Sequence, residues 1–384
     1  MSFMIYMDAS AGTKPYPEVI ETITDVLTNH WGNASAEYSL GNDAKQIINN
    51  VTEQVANDIN CNTSEIIWTS GACESNSLAI MGVFGLNPHM HFYTTHLEHT
   101  SIIEITKNCY NPVFFLINDN EGFIDLYELD KILRKNSYNN NCKILVSISA
   151  ANSEIGVIQD IKSISEIVHK YDGLLHVDAT QLYPWYKIDV QELGIDLMSV
   201  SGQKMHCVKG VGFLFVRDGI KLKPMIYGSQ QDGRRAGTYP THLIAAFGKA
   251  LETTRKCNAA RSIIKDFRDE LLDRLLQIDG TYLNGPSQFD VMRLPNNISI
   301  TVNGVKAETL VTMCDLMGLA IAKGSACKSY ESKPSETLLA IGLTPEQALN
   351  TIRISLDEFN SMSDIMQAAD IITKLVARIR EEND

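Results

Sequence analysis

Two stretches of the sequence, His176-Val-Asp-Ala-Thr-Gln181 and Ser199-Val-Ser-Gly-Gln-Lys204, decide the fold prediction. Each is a short apolar run that ends in polar residues, among them Asp178 in the first stretch and Lys204 in the second. Apolar runs of this length, bounded by turn residues, are typical of buried strands. A carboxylate at the end of a buried strand is costly unless it meets a cation, although Asp178 alone is also compatible with a helix N-cap. The pattern therefore predicts buried strands whose ends carry a polar site.

Similar runs and amphipathic stretches alternate along the first two thirds of the chain. Because strands that alternate with helices imply right-handed crossovers, the predicted fold class is α/β with a mostly parallel seven-stranded sheet and helices on both faces. Ligands bind such sheets beyond the carboxyl ends of the strands. The predicted strands are residues 65–69, 91–95, 113–117, 143–149, 174–177, 196–200 and 212–216. The predicted helices between them include residues 102–109, 126–135 and 161–171.

The pattern of the last third of the chain predicts a second, smaller α/β domain. A long helical stretch at residues 241–276 precedes strands at 297–302, 319–322 and 351–356. We therefore predict three parts: an N-terminal segment, residues 1–14, that packs with the small domain; a large domain, residues 15–255; and a small C-terminal domain, residues 256–384.

The composition limits the classes of function that the protein can have. With 384 residues, 44% hydrophobic and 21% charged, the chain is ordinary for a soluble globular protein. The net charge of −13 argues against nucleic acid or an anionic membrane as a partner. The run Met1 to Met7 lacks the basic start of a leader, and no stretch approaches the ~20 apolar residues of a membrane helix. We expect a cytoplasmic protein. We predict no metal ligands.

Three segments at predicted strand ends suggest a cofactor site. In Thr69-Ser-Gly-Ala-Cys-Glu-Ser-Asn76 a strand runs through Gly71 into a helix, whose first N–H groups suit a phosphate. Asp178 suits the protonated pyridine nitrogen of pyridoxal phosphate. Lys204, which follows a Ser/Gly turn 26 residues after Asp178, suits a Schiff base if its pKa is depressed. Each pattern is weak alone, since a tight turn needs glycine anyway and loop lysines usually face solvent.

In this order the segments resemble class V aminotransferases, and within them the cysteine desulfurases of the NifS/IscS type, which have the PLP-dependent transferase fold type I. The similarity extends from Tyr6-Met-Asp-Ala to Ile352-Arg-Ile-Ser-Leu356. It implies that Lys204 forms the internal aldimine with pyridoxal 5'-phosphate, that Asp178 pairs with the pyridine nitrogen, and that His99 stacks on the ring. The other cofactor-binding residues that it implies are Ala72, Cys73, Asn152, Gln181, Ser201, Gln203 and Thr238.

The resemblance also implies a substrate and an assembly. Arg353 would pair with the substrate carboxylate, a task that suits a planar bidentate donor, and Asn152 would lie beside the substrate. Thr238 would reach the phosphate bound in a neighbouring subunit, which implies a homodimer.

The segment Ala322-Lys-Gly-Ser-Ala-Cys327-Lys-Ser-Tyr-Glu-Ser-Lys-Pro-Ser335 separates this chemistry from other reactions on the same fold. Its cysteine stands among small and polar residues, and Lys323 and Lys328 favour the thiolate. The resemblance implies that Cys327 takes sulfur from L-cysteine as a persulfide, leaves L-alanine, and passes the sulfur to an acceptor protein such as an iron–sulfur scaffold or a thiolation enzyme. His99 would carry the proton of the substrate thiol.

Several positions depart from the family. Cys73 replaces a threonine and Gln203 a histidine, and both substitutions weaken predicted phosphate contacts, each by ~1 kcal/mol or somewhat more. His206-Cys207-Val208 replaces Tyr-Gly-Pro, and Asp357-Glu358 is unusually acidic. Three alternatives therefore stay open: a selenocysteine lyase or other class V aminotransferase, a non-catalytic sulfur-relay or docking subunit, and a paralogue without chemistry.

Overall fold

The computed structural model describes residues 4–137, 143–257, 260–324 and 333–383. Its strands are β1 (Ile5–Tyr6), β2 (Ile66–Thr69), β3 (His91–Thr94), β4 (Val113–Phe115), β5 (Ile144–Ser149), β6 (Leu174–Asp178), β7 (Leu197–Ser201), β8 (Gly212–Val216), β9 (Thr281–Leu283), β10 (Asn297–Val302), β11 (Leu319–Ala320), β12 (Ala322–Lys323) and β13 (Thr351–Ser355). Its α-helices are α1 (Pro17–Asn29), α2 (Ser39–Ile59), α3 (Ala72–Phe84), α4 (Thr100–Asn108), α5 (Leu126–Ser137), α6 (Ile161–His169), α7 (Thr241–Lys256), α8 (Ala260–Leu275), α9 (Ala307–Leu316), α10 (Glu336–Ala340), α11 (Pro345–Leu349) and α12 (Met362–Asn383).

The main sheet has seven strands in the order β2-β8-β7-β6-β5-β3-β4. The five strands β7, β6, β5, β3 and β4 are parallel to one another, and β8 is antiparallel to both β7 and β2. The predicted α/β fold with a mostly parallel seven-stranded sheet is confirmed.

Helices cover both faces of this sheet because its central strands are apolar on both sides. In β5, Ile144, Val146 and Ile148 face one buried apolar core, and Leu145 faces the other. Side chains alternate across a strand, so one continuous apolar run supplies both cores. The larger core also holds residues of α2 and α7, and the smaller one holds residues of α3 and α4.

The second sheet is antiparallel, with the order β12-β13-β10-β9. It shares a separate apolar core with α8, α9 and α12. The N-terminal residues join this core: Ile5 and Met7 are buried in it, and β1 pairs with β11.

The structure differs from the sequence prediction at two places. The predicted strand 319–322 is two short strands on either side of Ile321: β11 pairs with β1, and β12 pairs with β13. The predicted helical stretch 241–276 is two helices, because α7 packs on α1 and α2 whereas α8 packs on α12. Within the ranges given above, no helix is long and apolar enough to span a bilayer.

Candidate active site

A cavity of about 490 Å³ opens at the carboxyl ends of the central parallel strands. Ser149 at the end of β5, Asp178 at the end of β6 and Ser201 at the end of β7 line it. Arg353 of β13 and Gly324 bring the second sheet to the same cavity. This is the expected position for a ligand of an α/β sheet.

Most of the residues predicted from the sequence meet in this cavity. Ten of them line it: Ala72, Cys73, His99, Asn152, Asp178, Gln181, Ser201, Gln203, Lys204 and Arg353. Thr238 is exposed and does not line the cavity of its own chain. Cys327 lies outside the described residues, although Gly324, three residues before it, lines the cavity. The individual roles of these residues stay predictions.

The carboxylate of Asp178 is buried and is held by two donors. The side-chain amide of Asn76 donates to Oδ2 at 2.8 Å, and the backbone N–H of Thr180 donates to Oδ1 at 3.0 Å. Asn76 is fully buried on α3. The sequence pattern did not indicate that Asn76 is a partner of Asp178, because only the packing of α3 against β6 brings the two residues together.

Asn76 also connects Asp178 to His99. Its amide nitrogen donates a second hydrogen bond, at 3.0 Å, to the hydroxyl of Ser101, which lies 2.8 Å from His99 Nδ1. The backbone N–H of Ser101 also donates to Nδ1, at 3.1 Å, because His99 is the N-cap of α4. Nδ1 is therefore an acceptor, and the neutral imidazole carries its proton on Nε2.

Lys204 ends a short 3₁₀ turn after β7. Its ammonium donates to the backbone oxygens of Ser10 at 2.7 Å and Ala11 at 2.6 Å. The side-chain amide of Gln181 donates to the same Ser10 oxygen at 3.1 Å. The N-terminal segment thus holds the lysine in place, a contact that the sequence pattern did not indicate.

The start of α3 gives the cavity the donors of a phosphate site. Gly71 precedes α3 with φ of +147°, and a Cβ there would lie 3.5 Å from Ser201 Oγ. The first N–H groups of a helix have no intrahelical acceptor, and α3 begins at Ala72 in the cavity wall. Together with Gln203, these groups fit a phosphate, while Asp178 fits a protonated pyridine nitrogen. The residues present therefore fit pyridoxal 5'-phosphate.

Two buried glutamates also line the cavity. Burial raises the pKa of Glu98 to about 7, although hydrogen bonds from Ser149 at 2.6 Å and Thr95 at 2.7 Å act in the other direction. Burial likewise raises the pKa of Glu154 to about 7, against a hydrogen bond from Ser335 at 2.7 Å. No sequence pattern indicated either carboxyl as buried.

Arg353 is buried and is paired with an acid of the N-terminal segment. Its Nη2 donates to Asp8 Oδ1 at 2.7 Å, and its Nε has no hydrogen-bond acceptor among the described residues. Among the residues that the structure describes, no group of three or more His, Cys, Asp or Glu residues could hold a metal ion.

The sequence profile of the class-V aminotransferases matches residues 5–367. The chain belongs to this family. A relative of this class-V aminotransferase, cysteine desulfurase IscS 1 from Archaeoglobus fulgidus, is 35% identical over 385 residues, which cover 98% of each chain. The predicted resemblance to NifS/IscS-type proteins is confirmed.

Solved structures of similar proteins agree with this family. A NifS-like protein from Rickettsia africae superposes with a TM-score of 0.88 and 29% identity, over 97% of this chain and 99% of that one. SspA in complex with cysteine superposes with a TM-score of 0.78 and 29% identity, over 92% of this class-V aminotransferase and 98% of SspA.

Proposed function

We propose that this class-V aminotransferase is a pyridoxal-phosphate-dependent cysteine desulfurase that converts L-cysteine to L-alanine and leaves a persulfide on Cys327. The observation that carries the proposal is the cavity that unites Lys204, Asp178, His99 and Arg353 with the helix start at Ala72. Full-length similarity to a protein named cysteine desulfurase IscS 1, and a solved neighbour that holds cysteine, support the choice of reaction.

Asp178 and the start of α3 would hold the cofactor, with Gln181 and Asn152 at its phenolic oxygen and His99 on its ring. When bound, the cofactor supplies an electron sink for the pair left at Cα of the substrate. Nζ of Lys204 would then accept the Cα proton. Arg353 would bind the substrate carboxylate in a charge-assisted hydrogen bond.

The sulfur step needs no external oxidant. His99, whose neutral imidazole already carries a proton on Nε2, would pass that proton on and take up the proton of the substrate thiol in its place, and the thiolate of Cys327 would attack the substrate sulfur. The bond between Cβ and sulfur breaks, the sulfur–sulfur bond to Cys327 forms, and Cβ gains a proton on the way to alanine. L-Cysteine and one thiol thus give L-alanine and one persulfide, which an acceptor protein of iron–sulfur assembly or thiolation would receive.

The proposed assembly is a cytoplasmic homodimer. Thr238 is exposed in the single chain and lies outside its own cavity, as a residue that serves a neighbouring subunit would. Light scattering and a T238A variant with weaker cofactor retention would test this arrangement.

The deciding experiment measures sulfide and alanine from L-cysteine with a reductant, together with the visible spectrum. We expect both products from the wild type and neither from C327A, with the absorbance band of the lysine-linked cofactor in both proteins. K204A is expected to lack that band. C109A, which changes a half-buried thiol outside the cavity, serves as the matched control.

Other outcomes would identify the alternatives. A C327A variant with full turnover, on L-cysteine or L-selenocysteine, would indicate a selenocysteine lyase or another aminotransferase. A wild-type protein without the band after added cofactor would indicate a sulfur-relay subunit, as the substitutions at Cys73 and Gln203 allow.

A further inference from the structure

Two residues that differ from the family pattern, His206 and Glu358, are far apart in the sequence but in contact in the structure. His206 lies two residues after Lys204, and Glu358 follows the strand that carries Arg353. Nε2 of His206 lies 3.0 Å from Oε2 of Glu358, with 5% and 19% of the two side chains exposed. An unusual histidine and an unusual acid thus form one largely buried contact.

The hydrogen bonds of His206 indicate an imidazolium. Its Nδ1 lies 2.8 Å from the backbone oxygen of Lys14, which can only accept, so Nδ1 carries a proton. Its Nε2 faces a carboxylate, which also accepts when ionised, so Nε2 carries a proton as well. Burial would lower the pKa of His206, but the hydrogen bond and charge of Glu358 raise it above its ordinary value. The same contact lowers the pKa of Glu358 against the effect of burial.

The pair belongs to a network that encloses the turn of Lys204. The backbone N–H of His206 donates to Thr13 Oγ1 at 2.7 Å, and the N–H of Tyr16 donates to the backbone oxygen of His206 at 3.1 Å. The Tyr16 ring stacks on the imidazole at 4.6 Å, and its hydroxyl donates to Glu358. The turn of Lys204, residues 10–16 and the turn after β13 are therefore joined at one buried point.

His206 also holds an unusual backbone conformation. Its φ is +53°, in the left-handed region that residues with a side chain rarely adopt. Such a conformation persists when surrounding contacts over-determine it, and His206 has a partner on its N–H, its C=O and both ring nitrogens.

We propose that His206, held as an imidazolium by Glu358, is a positioning residue for Lys204. The pair fixes the turn of Lys204 against the N-terminal segment and the turn that follows Arg353. It thereby sets the position of Lys204 relative to Arg353 in the same cavity. This inference rests on the proposed role of Lys204.

The pH range in which His206 and Glu358 are both charged depends on the titratable and charged groups around them. These groups are Glu358 and Asp357 in the turn after β13, Lys14 and Tyr16 in the N-terminal segment, Lys204 in the turn of His206 itself, and Cys257 and Arg261, which line the same cleft. The His206 contribution is complete below its unfolded pKa, about 6.5, and is lost as pH rises through its raised folded value. The Glu358 contribution is complete above its ordinary pKa of 4.5, and is lost as pH falls through its lowered folded value. Both members are charged between these limits.

The first test is a titration of nitrogen-labelled histidine in the cofactor-free protein by NMR, with H206Q to assign the signals. We expect His206 in the wild type to titrate above the ordinary histidine pKa, about 6.5, and to titrate at lower pH in E358Q. A His206 that titrates below that ordinary value in the wild type would overturn the inference. This readout does not depend on the reaction, so it stands even if the proposed function fails because the wild type releases no sulfide.

The second test separates positioning from simple electrostatics. H206Q removes a positive charge and E358Q a negative one, so a purely electrostatic effect on Lys204 would move kcat in opposite directions. Positioning predicts that both variants lower kcat about tenfold, with KM changed less than about twofold. It also predicts that kcat of the double variant is no lower than kcat of the less active single variant. E358Q, which keeps the shape of the side chain, decides alone if H206Q does not fold.

The matched control is H169Q, which removes another histidine–carboxylate contact, that of His169 with Asp196 at 2.8 Å. His169 ends α6 outside the cavity, so kcat and the visible spectrum should be unchanged. Wild-type kcat in both H206Q and E358Q, or additive losses in the double variant, would overturn the proposal even if the melting temperature falls.

Discussion

Asp8 and Arg353 form an ion pair of 2.7 Å that joins the N-terminal segment to β13 at the edge of the cavity. The guanidinium is almost fully buried, whereas one fifth of the Asp8 side chain is exposed. Neighbouring backbone contacts fix the same two elements, since Ala9 N–H donates to the Ser355 oxygen at 3.1 Å and Ser10 N–H to Ser355 Oγ at 2.9 Å. Arg353 is thus oriented before any ligand arrives.

This orientation predicts graded effects on substrate affinity. We expect R353Q to raise KM for L-cysteine about 100-fold, because a charge-assisted hydrogen bond to the substrate is lost. We expect D8N to raise KM only about fivefold, with kcat nearly unchanged, because the arginine remains but loses one charged partner. Steady-state sulfide release measures both constants. Equal KM values in D8N and the wild type would show that Asp8 does not orient the arginine.

The two hydrogen bonds that the Asn76 amide donates predict that two substitutions, N76L and S101A, lower activity by different amounts. N76L removes the donor shared by Asp178 and Ser101, so we expect kcat/KM to fall by about 10- to 100-fold and the visible band to shift. S101A removes only the branch to His99 and should lower kcat/KM several-fold, about 3 to 10 times. Kinetics and the visible spectrum, measured side by side, check the order of the two effects.

N87A is the control for this pair, since Asn87 follows the same helix and its side-chain amide donates to the backbone oxygen of Val83 at 2.9 Å. It should behave as the wild type. A larger loss in S101A than in N76L would contradict the proposed link from Asp178 to His99.

The sequence predicted what depends on local pattern. The seven apolar runs form the seven strands, and all but the edge strand β4 are buried along most of their length. Asp178 ends β6 and Lys204 follows β7, because polar residues terminate those runs. The contacts of Ser10 and Ala11 with Lys204, and of Asn76 with Asp178, join elements distant in the chain. No local pattern encodes such contacts, so a single sequence could not predict them.

The split of the predicted strand 319–322 has the same origin. Residues 319–322 read as one apolar run, but Leu319–Ala320 pairs with the N-terminal strand and Ala322–Lys323 pairs with β13. The partner strands decide this division, and they come from opposite ends of the chain.

Glu98 predicts a pH dependence of stability in the cofactor-free protein. Its folded pKa, about 7, lies above the ordinary value, so its favourable contribution is complete below about pH 4.5 and is lost as pH rises through about 7. We expect E98Q, which resembles the protonated acid, to have a free energy of unfolding up to about 3 kcal/mol higher than the wild type at pH 8.5. The two proteins should be nearly equal at about pH 4.5.

Urea unfolding at both pH values measures this difference. E308Q, which changes an exposed glutamate of α9, is the control and should follow the wild type at each pH. An E98Q protein that is less stable than the wild type at pH 8.5 would show that Glu98 is ionised and well paired in the fold.

Gly324 predicts how the segment that carries Cys327 depends on the buried carboxyl of Glu154. A Cβ at position 324 would lie 2.2 Å from Glu154 Oε1 and 3.1 Å from Leu338 Cδ1, so G324A must displace the carboxyl group. That displacement would break the 2.7 Å hydrogen bond from Ser335 Oγ to Glu154 Oε2, so the same carboxyl meets Gly324 before the segment and Ser335 after it. We expect G324A to lower sulfide release about tenfold while the visible band of the cofactor persists, because Asp178 and Lys204 are untouched.

S335A separates the lost hydrogen bond from the steric effect of the new methyl group. It removes the same hydrogen bond without adding an atom, so it should reproduce part of the loss, about threefold, with the visible band again intact. Sulfide release and the absorbance spectrum of both variants, recorded with the wild type, check the prediction. Wild-type turnover in G324A would mean that Glu154 moves without consequence for the reaction, whereas loss of the visible band would place the damage at the cofactor instead of at the segment of Cys327.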